Sequence, residues 1–128
     1  MNLVDSCGWL EYFGDGAQAG FYAPAIEAPA ELVVPTVCIV EVCRRMLAQR
    51  GPEAALKAAA AMEQGRVIPL DAGTAFAAAR IGVEMKLPLA DAIIMATAQA
   101  FGAEIWTQDE HFRELPGVRF ATTAKRRT

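Results

Sequence analysis

Leu32-Val33-Val34-Pro35-Thr36-Val37-Cys38-Ile39-Val40-Glu41-Val42-Cys43-Arg44-Arg45 reads as a strand that hands over directly to a helix, and that handover decides the fold. Leu32, Val33 and Val34 form an apolar, β-branched run of the kind buried in a sheet, and Pro35 ends it because proline has no N–H for the ladder. Thr36 can cap the following helix, which runs to Arg50 and stops at Gly51-Pro52. The only charge between Glu31 and Arg44 is Glu41, set among apolar and thiol side chains.

The same alternation holds on either side. Leu3-Val4 is a short buried strand ending at Asp5. Residues 6–13 carry Trp9, Tyr12 and Phe13 at helical spacing, closed by the turn residues Gly14-Asp15-Gly16, and a second helix covers 18–27. The alanine-rich segment 53–64 is helical up to Gly65. Residues 67–70 are strand-like, and Pro69 suggests a sheet edge. Two further helices, 72–86 and 89–101, are separated by Leu87-Pro88, and Gly102 stops the second. Residues 104–106 and 118–120 complete the strands. Strands alternating with helices imply an α/β domain with a mainly parallel sheet.

At 128 residues, with 54% apolar and 21% charged, the chain has the size and composition of one globular domain. No apolar run approaches the ~18–20 residues that a membrane helix needs. The opening Met1-Asn2-Leu3-Val4-Asp5 lacks the basic and apolar regions of a signal peptide, so a cytoplasmic location is expected. Cys7, Cys38 and Cys43 are odd in number and lack metal-type spacing, which implies free thiols in a reducing compartment. The net charge of −3 argues against non-specific nucleic-acid binding, which draws on a basic face. One domain is expected over 1–128, with 123–128, including Lys125-Arg126-Arg127, as a flexible basic tail.

In a parallel sheet every strand ends, and every following helix begins, at the same edge. Asp5 follows the first strand and Asp109 lies just past the fourth. Asp91 is in the first turn of the helix after Pro88, and Glu41 is within two turns of Thr36. The four acids therefore sit towards one edge, and strand order decides whether they meet. Each has a plainer role open to it. Asp5 could cap a helix, Asp91 could complement a helix dipole, and Asp109 could make a turn. Glu41 could pair with Arg45 at i,i+4, worth roughly a few tenths of a kcal/mol. Against the plainer roles, Asp91 shares a face with Ile94, Met95, Ala98 and Phe101, so it continues a buried stripe. Glu41 stands opposite the Ile39, Val42, Cys43, Met46 stripe, but Val37 and Val40 beside it imply that this side is partly buried too.

Acids crowded at one buried edge repel one another, which raises their pKa values. A hard divalent cation relieves this, and oxygen-only ligands select magnesium or manganese over zinc. Two such ions ~3.5–4 Å apart could activate a water and stabilise the leaving oxygen of a phosphodiester. That chemistry needs no histidine, and the sole His111 reads as a surface residue.

Four segments together resemble the signature segments of PIN-domain nucleases, and their order and spacing resemble the VapC toxins of toxin–antitoxin pairs. They are Asn2-Leu3-Val4-Asp5-Ser6, Val40-Glu41-Val42 after Pro35-Thr36, Leu89-Ala90-Asp91-Ala92-Ile93-Ile94, and Thr107-Gln108-Asp109-Glu110-His111-Phe112. The resemblance implies a three-layer α/β/α fold with a five-stranded parallel sheet in the order 3-2-1-4-5, which sets Asp5 beside Asp109. It implies that Asp5, Glu41, Asp91 and Asp109 are catalytic acids binding Mg2+ (or Mn2+), with Ser6 and Thr107 as hydroxyls that orient a carboxylate or a metal water. It also implies endonucleolytic cutting of RNA, a cognate antitoxin, and a homodimer or toxin–antitoxin hetero-oligomer. Dimerisation could align Arg44, Arg45, Arg80, Lys86 and Arg113 to ease the charge problem. Trp9, Tyr12 and Phe13 are either an antitoxin-binding surface or ordinary core, and Cys7 stands next to the site.

Three rivals come from other classes. A signalling receiver would use Asp71 as phosphoacceptor, Thr107 as switch hydroxyl and Lys125 as phosphate-binding lysine. Receivers carry two adjacent acids after the first strand, whereas Asp5 is followed by Ser6-Cys7, and Asp71 also reads simply as a cap for the next helix. An inactive PIN-like scaffold for RNA or protein has no need of four intact acids. A flap nuclease acting on branched DNA would carry extra helical segments, for which 128 residues leave little room.

Overall fold

The computed structural model describes residues 1–122; the tail expected at 123–128 lies outside the described residues. Five strands, β1 (Asn2–Val4), β2 (Leu32–Pro35), β3 (Arg66–Ile68), β4 (Glu104–Thr107) and β5 (Val118–Phe120), pair in parallel in the order β3-β2-β1-β4-β5. Helices α1 (Ser6–Phe13), α2 (Ala19–Ile26), α3 (Thr36–Arg50), α4 (Pro52–Met62), α5 (Ala72–Met85) and α6 (Leu89–Phe101) complete a three-layer α/β/α domain. This is the expected fold, with the expected strand order.

The central strands are mostly apolar because helices cover both faces of a parallel sheet. Leu3, Val4, Val33 and Val34 are fully buried, and Leu32 and Ile105 nearly so. Helix α6 is the most buried helix, with Asp91, Ala92, Ile94, Met95, Ala96, Thr97 and Ala98 all out of solvent. Its small residues let α5 pack closely: a Cβ on Gly82 would lie 3.4 Å from that of Ala92. Gly102 ends α6 at φ +61°, the left-handed conformation that glycine adopts without strain. Gly8 in α1 permits a closer approach still, since a Cβ there would stand 2.5 Å from the Tyr22 ring and 2.7 Å from Val4.

Three local expectations are corrected. Thr36 is the first helical residue and caps nothing; Pro35 occupies the cap position while still pairing with Ile68 as the last residue of β2. Strand and helix abut with no intervening residue, so Thr36 has to take helical angles at once. Strand β3 ends at Ile68, before Pro69, although it does form the sheet edge. On α3 the buried row is Cys38, Val42 and Met46, with Val37 only half-buried and Val40 62% exposed. The helix rests on the sheet through an i,i+4,i+8 row, which leaves the Val40 side in water.

Chain order reverses between β1 and β4: β2 and β3 lie on one side of β1, β4 and β5 on the other. The crevice beyond the carboxyl ends of β1 and β4 is where an open α/β sheet binds ligands.

Candidate metal centre

Asp5 enters this crevice directly from β1. Its backbone N–H donates to Trp106 O at 3.0 Å, carrying the β1–β4 ladder one residue further. Its side chain caps α1, Oδ1 accepting from Ser6 N at 2.7 Å. Oδ2 accepts the Thr107 hydroxyl at 2.8 Å and the Cys7 thiol at 3.4 Å. Asp5 therefore is the helix cap and also faces the crevice. It is 2% exposed and Thr107 is fully buried. Burial raises the Asp5 pKa against these three donors, and the charge of Asp109 adds to the rise.

Thr107, the last residue of β4, links two acids: its hydroxyl donates to Asp5 and accepts the Asp109 N–H at 2.9 Å. Asp109 in turn caps a one-turn 3-10 helix, Glu110–Phe112, accepting from His111 N at 3.0 Å. Phe112, fully buried, anchors that turn. Asp91 arrives from the first turn of α6, on the buried stripe expected for it. Its pKa is pushed up to about 6, first by burial, then by the charges of Asp109 and Asp5, with His111 opposing.

His111 is exposed, as the sequence suggested, but it is not merely a surface residue. Its Nδ1 lies 2.9 Å from Asp91 Oδ2 and 3.1 Å from Asp109 Oδ1. One donor atom from each of Asp91, Asp109 and His111 falls within 4.8 Å of the other two, the one such group of three found among the described residues. The available signal was the spacing: a histidine two residues after an aspartate that caps its own turn is folded back onto it.

Glu41 reaches the crevice from α3. Burial raises its pKa, the Ser6 hydroxyl opposes this by hydrogen bonding, and the charges of Asp5 and Asp109 raise it further. Asp5, Asp91 and Asp109 thus gather as one cluster, and Glu41 with Ser6 flanks it on the α3 side. Glu41 forms no ion pair with Arg45 among the described residues. Carboxylates gathered at one edge, with an imidazole nitrogen beside two of them, are a donor set that could hold a divalent cation.

Asp71 does not join them. It follows the edge strand β3, two strands away from β1, and caps α5 by accepting from Thr74 N at 2.8 Å. The aromatic trio divides. Trp9 is fully buried, Phe13 stacks on it at 5.7 Å between centroids, and Tyr12 donates to Glu27 Oε2 at 2.8 Å. The Cys7 thiol is pushed up to about 12 by burial and by the charge of Asp5, which makes it a poor nucleophile.

A profile of the PIN domain family matches residues 3–118. A search of curated proteins returns no significant match. Among solved structures, a toxin–antitoxin complex from Klebsiella pneumoniae aligns over 93% of this chain and 96% of its own, with a TM-score of 0.80 at 23% identity. DNA-bound VapBC from Salmonella typhimurium aligns over 94% and 98%, with a TM-score of 0.71 at 16% identity. VapC20 of Mycobacterium tuberculosis, a toxin that cleaves the sarcin-ricin loop, aligns over 81% and 85%, with a TM-score of 0.66 at 21% identity. At these identities the likeness is one of fold. No helix among the described residues is long and apolar enough to cross a membrane.

Proposed function

This chain belongs to the PIN domain family, and on that premise we propose that it is a single-domain, Mg2+-dependent endoribonuclease acting as the toxin of a toxin–antitoxin pair in the cytoplasm. The observation that carries this reading is the convergence of carboxylates from separate elements on the β1–β4 crevice, each of Asp5, Glu41 and Asp91 with a raised pKa. Capping accounts for Asp5 and Asp109 one at a time, but not for the acids gathering together.

Asp5, Glu41, Asp91 and Asp109 are the catalytic, metal-holding acids, with Mn2+ as a substitute for Mg2+. When bound, the cation supplies Lewis-acid activation of water and offsets the charge that builds on a phosphodiester. Ser6 N and the Thr107 hydroxyl hold the two oxygens of Asp5 in place, so the carboxylate meets its ligand with little reorganisation. Glu41, half-buried and with a raised pKa, is suited to take the proton of the attacking water on its carboxylate.

RNA is the substrate, and a cognate antitoxin covers the site between bouts of activity. A second copy of the chain would cover the exposed Phe76 and Val83, one stripe of α5, with Leu89 at the start of α6. The test is cleavage of total RNA by the purified protein with Mg2+ or Mn2+ and with EDTA, beside Asp5→Asn and Asp91→Asn. Defined fragments that need the cation and disappear in both variants support the reading. Intact RNA from a correctly folded protein would leave an inactive PIN scaffold.

A further inference from the structure

Next to the acids, α1 and α3 border a cleft of about 360 Å³, whose lining includes Cys7, Glu11, Arg45, Gln49, Arg50 and Gln108. Its two arginines contrast with three arginines elsewhere in the molecule. Arg66, Arg113 and Arg119 stack on Phe101, Phe120 and Trp106, and Arg113 and Arg119 also bind Glu110 and Glu104. Arg45 and Arg50 have neither ring nor carboxylate partner among the described residues.

Two polar groups of the cleft are already engaged. Glu11 Oε2 accepts from Gln18 N at 2.8 Å, and the Cys7 thiol turns to Asp5 and Thr107. Gln108 is oriented from behind. The fully buried Tyr22 donates its hydroxyl to Gln108 Oε1 at 2.9 Å. With its oxygen turned to the tyrosine, the amide has its NH2 group as the free end. Gln108, next in sequence to both Thr107 and Asp109, therefore offers a donor, and the two arginines offer more.

We propose that this cleft is a nucleotide subsite that holds a guanine beside the cleaved bond by its acceptor edge, with Gln108 as the reading residue and Tyr22 as the residue that orients it. The proposal rests on the nuclease reading above. Guanine sets two acceptors, O6 and N7, side by side, whereas adenine and cytosine each place an amino donor on the corresponding edge. In single-stranded RNA that edge is open to side chains. Arg45 and Arg50 supply the charge-assisted partners, to the base or to its flanking phosphate.

The experiment maps fragment ends from a random-sequence single-stranded RNA pool cut by wild type, Gln108→Glu and Tyr22→Phe. A parallel reaction uses an oligonucleotide carrying 7-deazaguanosine, which lacks the N7 acceptor and needs no protein variant. Guanine should be enriched at one position adjoining the cut. Gln108→Glu, which presents an acceptor in place of the donor, should lower that preference about tenfold, as should 7-deazaguanosine. Tyr22→Phe should blunt the preference while cutting continues. A base-blind pattern, or one unmoved by Gln108→Glu and by 7-deazaguanosine, would overturn the proposal and leave the cleft to a protein partner. No cutting by wild type would remove the nuclease reading and this inference with it; cutting without guanine preference would remove this inference alone.

Discussion

Two strand-to-helix junctions of this sheet are built alike. At β1–α1 Asp5, directly after the strand, accepts a backbone N–H of the helix it caps; at β3–α5 Asp71, three residues past its strand, does the same. Their electrostatic outcomes are opposite. Asp71 lies at the sheet edge in water, and the Thr74 N–H holds its pKa below the usual value. Asp5 lies between the two central strands, where burial and the charge of Asp109 overcome a similar cap and two further donors. Capping chemistry is local, but the buried, like-charged environment that raises the pKa of one cap and not the other is set by strand order.

The largest effect that would break or sharpen the contrast is on cleavage. Asp5→Asn keeps the cap and the packing while removing the charge. Its expected loss exceeds the ~10–100-fold typical of residues that only support a metal ligand. The same change at Asp71 leaves the cleavage rate unaltered.

Acidity gives the next effect. Without a bound cation, Asp91 has a pKa of about 6 against an ordinary 3.8, so affinity for the cation should weaken as pH drops through about 6, where protons compete for this carboxylate. Stability of the protein in EDTA should run the other way. An acid whose folded pKa is raised favours the fold fully below its unfolded value, and that contribution is lost as pH rises through the folded value. Asp91→Asn should therefore raise stability at pH 7 by on the order of 2 kcal/mol, with no gain near pH 4, as read by thermal melts.

Thr107→Val comes third. It removes the hydroxyl that donates to Asp5 and accepts from Asp109 N, with an expected loss of about tenfold in rate. Because that donor lowers the Asp5 pKa, the acid limb of the pH–rate profile should also move up. The smallest effect is Asp71→Ala, which unties α5 from its cap: a slightly lower melting temperature and no change in rate.

Much of this was legible in the sequence because it is local. The strand–helix alternation, Pro69 marking an edge strand, Asp71 capping α5 and the buried stripe through Asp91 all follow from residues within a few positions of one another. What could not be read spans the chain. The Asp5–Thr107 bond joins residues 102 apart and the Tyr22–Gln108 bond residues 86 apart. The exposure of His111 is legible in the sequence, whereas its contact with Asp91 depends on how the loop after β4 meets α6. That the Val40 side of α3 faces water is not legible, because a helical wheel gives the faces of a helix without saying which one meets the sheet. The order that brings β1 beside β4 came from family resemblance and not from periodicity.

The central claim is that these carboxylates form one cation site and that Asp71 is outside it. Calorimetric titration of Mn2+ into wild type, Asp5→Asn and Asp71→Asn tests it without any assumption about the RNA. The account predicts equal binding by wild type and Asp71→Asn and a loss of at least about tenfold in affinity for Asp5→Asn. Equal binding by all three proteins, or none by wild type, would contradict it.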